Sequence, residues 1–178
     1  MNNNAEKFEL AKFRLNSAAM AGLIIGVADS LLILGADFFR NYKVVTQMAS
    51  FVEFAIVCWG LYYFTRQYAQ KREEHVVNFG HVLGFQMTIT LFASILIGLS
   101  SYAVMFVVSP EYYLSTYKEL FSSELAGLEM EESFSEVYTK LGSSPLIVVV
   151  YTIIGTALKW FFPAMIISVM LKKKKIVK

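Results

Sequence analysis

Four apolar runs, at roughly residues 15–36, 44–65, 82–108 and 145–171, leave this chain very few folds to choose from. A bilayer core about 30 Å thick takes about 20 mostly apolar residues as a helix, and each run reaches that length. In hydrocarbon every backbone N–H and C=O has to be paired within the structure, so only helices or a closed barrel can cross. Barrel strands are about 10 residues long and alternate polar with apolar side chains, a pattern these runs lack. The expected fold is therefore all-α: a single-domain polytopic membrane protein with four transmembrane helices. Composition points the same way, since only 17% of the 178 residues are charged against about 25% in soluble domains.

Lys and Arg sort to one side of these spans. Lys7, Lys12, Arg14, Arg66, Lys71, Arg72, Lys172, Lys173, Lys174, Lys175 and Lys178 fall on the side of both termini; Arg40, Lys43, Lys118 and Lys140 fall on the other. The positive-inside rule then places both termini, and the loop between the second and third spans, in the cytoplasm. The C-terminal KKKKIVK reads as a stop-transfer anchor, with binding of acidic lipid as the alternative. The polar segment Met1 to Arg14 carries both signs and leads into a run too long for a signal peptide, so no cleavage is expected. Within it AEKFELAKFRL can form an amphipathic turn or two at the membrane surface.

The long connection, residues 109–144, falls on the outer side and carries seven Glu and two Lys, a charge of −5. Ser109 and Pro110 suit an N-cap and first helical position. Leu114, Tyr117, Phe121, Leu125 and Leu128 recur at helical spacing, with Gly127 near the helix's stop. A second short helix is expected from Ser133, boxed by Glu136, to Leu141 before Gly142. Together they predict an extramembrane helical hairpin between the third and fourth spans. Its acidic face either attracts cations and basic partners or is simply solvated.

Three ionisable residues fall deep within the runs: Asp29, Glu53 and Lys159. A charge facing lipid costs at least about 2.5–3.5 kcal/mol on insertion scales, so each is expected to face protein. Helical periodicity agrees. Asp29 shares a face with Ala18, Gly22 and Gly26, a small-xxx-small ladder suited to close helix packing. Glu53 shares one with Thr46, Ala49, Ser50 and Gly60; Lys159 shares one with Thr152, Gly155, Thr156 and Pro163. All three charges lie at similar depth, within about 7 Å along the membrane normal. The expectation is an intramembrane cluster in which Asp29 and Glu53 neutralise Lys159. Gln86, Thr88, Thr90 and Ser94 would add hydrogen bonds. Two acids against one base leave one negative charge over, to be met by a proton or a cation. Two roles stay open: an ionic cluster that fixes helix order and rotation, or a proton relay or ion site. Pro163 can kink the fourth helix just beyond Lys159.

Other chemistry is sparse. Cys58 is the only cysteine, so no intrachain disulfide forms and a cysteine zinc site is not expected. His75 and His81 match no metal motif, and no metal or cofactor is implied. No P-loop, GxSxG, HExxH or dinucleotide fingerprint occurs, and no enzyme activity is expected. The aromatic runs Tyr62–Phe64 and Trp160–Phe162 read as interface anchor and bundle packing. Nothing indicates nucleic-acid binding.

The stretch VNFGHVLGFQMTITLFASIL entering the third span, VSPEYYLSTYKEL just after it, and the Lys run closing the fourth resemble the domain of unknown function 4199 family of small bacterial membrane proteins. The resemblance covers nearly the whole chain. It implies four spans with a helical insertion after the third, the family's pattern at span three being matched by Phe79, Gly80, Gly84 and the region of Pro110. Gly80–His81 departs from the glycine–glutamine pairing common in the family, so no role passes to His81. The family brings no established activity, and no catalytic residue is carried over.

The expected function is that of a small inner-membrane scaffold or accessory subunit of an envelope complex, its partners being the lipid bilayer and either another membrane protein or further copies of itself. The alternative is an oligomeric proton- or cation-linked transporter or channel that uses Asp29, Glu53 and Lys159. Catalysis at the membrane surface would need a substrate site that the insertion's Glu residues alone do not define.

Overall fold

The structure, a computed structural model, describes residues 3–71, 78–113, 115, 136, 140 and 144–172. All the regular structure among them is helical. Helix α1 runs Asn3–Phe38, α2 Lys43–Lys71, α3 Phe79–Ala103 and α4 Pro145–Lys172; α3 continues through a π-helical turn, Val104–Val108. Stretches of 31, 28, 30 and 27 residues in these four helices are long and apolar enough to cross a membrane. At about 1.5 Å per residue, each exceeds the thickness of a bilayer core. These are the proportions of a multi-pass membrane protein.

The helices overrun the apolar runs at several ends. In particular α1 begins at Asn3, so the N-terminal amphipathic segment is continuous with the first span instead of forming a separate surface helix. Its residues are good helix formers with no proline or glycine before Gly22, and nothing in the sequence breaks the helix there. Most of the expected hairpin lies outside the described residues. Of it the structure gives a helical start at residues 110–113 and a Glu136–Lys140 ion pair at 2.7 Å, four residues apart on an exposed face.

The start of α1 and the end of α4 lie toward one end of the bundle, called here the termini end, because the four helices alternate in direction. The α1–α2 turn, Ser109 and Ser144 mark the opposite, insertion end. Helix α3 is the central element and packs along both α1 and α4, while α2 rests mainly on α1. Small residues set these distances. A Cβ on Gly22 would sit 2.6 Å from the Ile89 carbonyl oxygen, and one on Gly26 would sit 3.0 Å from Ala93 Cα. Ala18 and Ala93 are fully buried beside them. On the other side of α3, a Cβ on Gly98 would lie 2.8 Å from Val149 Cα of α4. Close backbone approach of this kind lets long helices gain dispersion contacts without bulky side chains holding them apart.

Toward the termini end the core is aromatic and aliphatic. Tyr68 of α2 stacks on Phe85 of α3 at 4.1 Å and on Phe13 of α1 at 6.2 Å, tying three helices together. Val57, Leu61, Val82, Ile89 and Ile167 fill the space around them. Toward the insertion end α2 departs from this pattern: from Lys43 to Ile56 it buries no residue, and its first buried side chain is Val57. The bundle is therefore closed at one end and parted along the α2–α4 side at the other.

Candidate functional site: a charged cavity between the helices

The gap between the helices contains a cavity of about 310 Å³ lined by Asp29, Ile33, Glu53, Ile97, Thr152, Gly155, Thr156, Lys159 and Trp160. All four helices contribute. The three ionisable residues picked from the sequence thus meet on one cavity, at a depth where α2 has run ten residues in from Lys43, about 15 Å.

They do not meet as one triad. Lys159 Nζ donates to Glu53 Oε1 in a direct ion pair joining α4 to α2. Its side chain is 54% exposed and that of Glu53 is 21% exposed, so the pair sits at the rim. Asp29 lies at the wall, only 2% exposed, and its Oδ1 has no hydrogen-bond partner among the described residues. Both Glu53 and Lys159 are near enough to act on Asp29 electrostatically. The one base is thus held by one acid, and the second acid is left without a basic partner among the described residues.

The remaining lining is mixed. Ile33, Ile97 and the buried ring of Trp160 are apolar; Thr152 and Thr156 bring hydroxyl groups. Thr152 donates to the Val148 carbonyl at 2.8 Å, which leaves its oxygen lone pairs available as acceptors. Pro163 lies inside α4 without ending it. Lacking an amide hydrogen, it cannot donate to the carbonyl four residues earlier, which is that of Lys159 itself.

The structure departs from the sequence pattern at two places. Gly155, grouped with the helix-packing small residues, touches no neighbouring helix: a Cβ there would meet nothing within 4 Å, because α2 has parted from α4 and the position opens on the cavity. The hydroxyls expected to serve the charges turn back on their own helix instead. Thr88 donates to the Gly84 carbonyl at 2.8 Å, Thr90 to that of Gln86 at 3.0 Å and Ser94 to that of Leu91 at 2.9 Å. In an apolar surround a Ser or Thr finds its nearest acceptor three or four residues back along its own helix. Gln86 is buried toward the termini end, where its Oε1 accepts from Ser168 at 3.5 Å.

A second polar group lies at the insertion end. Ser109 Oγ donates to Asp37 Oδ2 at 2.8 Å and accepts from Arg40 Nη1, while Arg40 lies 4.6 Å over the Tyr112 ring. Arg40 also pairs with Asp37 at 3.4 Å. This network fastens the end of α3 to the α1–α2 turn. The π-helical turn places Ser109 within it, the Ser109 amide reaching the Val104 carbonyl five residues back at 3.0 Å.

A family model described as "Protein of unknown function (DUF4199)" matches residues 19–173. The chain belongs to that family. The matched segment takes in most of α1, all of α2 and α3, and α4, so every residue lining the cavity falls inside it. No curated protein and no solved structure matches the chain.

Proposed function

We propose that this is a multi-pass protein of the bacterial inner membrane, with both termini cytoplasmic, that serves as a non-enzymatic subunit of a larger envelope assembly. The observation that carries this reading is the Glu53–Lys159 pair, set within the apolar stretches of α2 and α4 on the parted side of the bundle with the lysine more than half exposed. A charge in contact with lipid is costly. A neighbouring helix seated between α2 and α4, from another membrane protein or from a second copy, takes the pair out of lipid and covers exposed Phe51 and Leu158 beside it. The test is a photo-crosslinking residue at position 51 or 158 in native membranes, followed by mass spectrometry. A stoichiometric adduct to one partner or to a second copy is expected; adducts to lipid alone would sink the idea.

A second reading, favoured by the unpartnered Asp29 oxygen, is an oligomeric cation- or proton-linked transporter. It predicts that Asp29→Asn or Glu53→Gln abolishes flux in liposomes while the bundle stays folded. Flux and stability lost in equal step would instead assign the charges to packing.

A further inference from the structure

We propose that the cavity is a binding site for a small organic ammonium ion, a primary alkylamine in its protonated form. This deepens the cation reading of the cavity and rests on it, but it does not require movement across the membrane.

Charge, shape and lining chemistry each point to this class. The Glu53–Lys159 pair is internally neutral, so Asp29 is the one acid on the cavity left without a basic partner, and its Oδ1 is buried and unpartnered among the described residues. A ligand with a single positive charge completes the balance. An ammonium head presents three N–H donors, and the wall offers three acceptor groups that are not engaged in the ion pair: the Asp29 carboxylate and the hydroxyl oxygens of Thr152 and Thr156. Beside them stands the indole of Trp160, the aromatic ring that best attracts a cation. The rest of the wall is aliphatic, from Ile33 and Ile97, and suits methylenes rather than the water shell of an inorganic ion. The volume of about 310 Å³ falls at the lower end of the range for organic ligand sites, and far exceeds what one bare ion needs. No group of three or more His, Cys, Asp or Glu among the described residues is arranged to hold a metal ion.

The test uses the full chain in lipid nanodiscs with Trp59→Phe, which leaves Trp160 as the only tryptophan, titrated with methyl- through hexylammonium chloride while its emission is followed. Trp59 is exposed and away from the cavity lining. Saturable binding is expected, tightening about fourfold per added methylene until the cavity is full. Asp29→Asn should weaken it about tenfold or more, as expected for the loss of a charge-assisted hydrogen bond. Ile97→Phe, which narrows the cavity without touching a charge or adding a tryptophan, should weaken binding of hexylammonium and spare methylammonium; it decides the matter if the Asp29 variant fails to fold. A response that sodium chloride reproduces at equal concentration, or that survives Asp29→Asn in a folded protein, overturns the proposal. Emission that changes with sodium or pH but with no amine overturns the amine and leaves the cation reading standing. Emission that answers to none of them overturns both.

Discussion

At Gly22 a Cβ would lie 2.6 Å from the Ile89 carbonyl oxygen and 2.6 Å from Phe92 Cβ, both parts of α3 that cannot move without carrying the helix. Gly22→Ala should therefore push α1 off α3 and destabilise the bundle by about 1–3 kcal/mol, the usual cost of overpacking. Gly155→Ala meets open space; it should be neutral or, from helix propensity, stabilising by up to about 1 kcal/mol. Unfolding midpoints in a denaturing detergent titration compare the two, and equal losses would contradict the packing described here. Their different surroundings also mark what residue patterns can convey. Gly22 and Gly155 both follow small residues at helical spacing, and both share a face with an intramembrane charge. Only the position of a neighbouring helix separates the glycine that is a contact from the glycine that borders a cavity.

Along α2 the first half, Lys43 to Ile56, buries no residue, whereas the second half places Val57, Leu61, Thr65 and Tyr68 in the core. Local opening follows burial, so backbone hydrogen exchange in nanodiscs made of deuterated lipid should protect residues 57–68 more strongly than residues 43–56; uniform protection along α2 would mean that the helix is packed over its whole length. At the other insertion-end contact, Ser109→Ala removes the hydroxyl that bridges Asp37 and Arg40. It should cost about 1 kcal/mol, read as a fall in thermal midpoint. The four helices were legible because each long apolar run admits one solution in a membrane. The Asp37–Ser109–Arg40 network was not. Its members are polar residues at helix ends, 72 positions apart at the widest, and the π-helical turn shifts the phase on which any periodicity argument depends. The parting of α2 was equally hidden, since its apolar face reads the same whether it meets lipid or protein.

For the molecule as a whole, depth and charge balance could be read before any contact was known, and they bring Asp29, Glu53 and Lys159 to one cavity lined by all four helices. The pairing within the three could not be read, because it depends on helix rotation and on which helices are neighbours. Lys159 reaches Glu53 across the parted side, and Asp29 is left on the wall. Both readings of function start from that asymmetry: the exposed pair asks for a neighbouring helix, and the unpaired carboxylate asks for a cation. The most direct test is a pair of double-mutant cycles in nanodiscs, one combining Glu53→Gln with Lys159→Met and the other Asp29→Asn with Lys159→Met. A coupling of about 1 kcal/mol or more is expected for Glu53 with Lys159 and a smaller one for Asp29 with Lys159. No coupling in the first cycle, or a larger one in the second, would mean that Lys159 is not paired with Glu53.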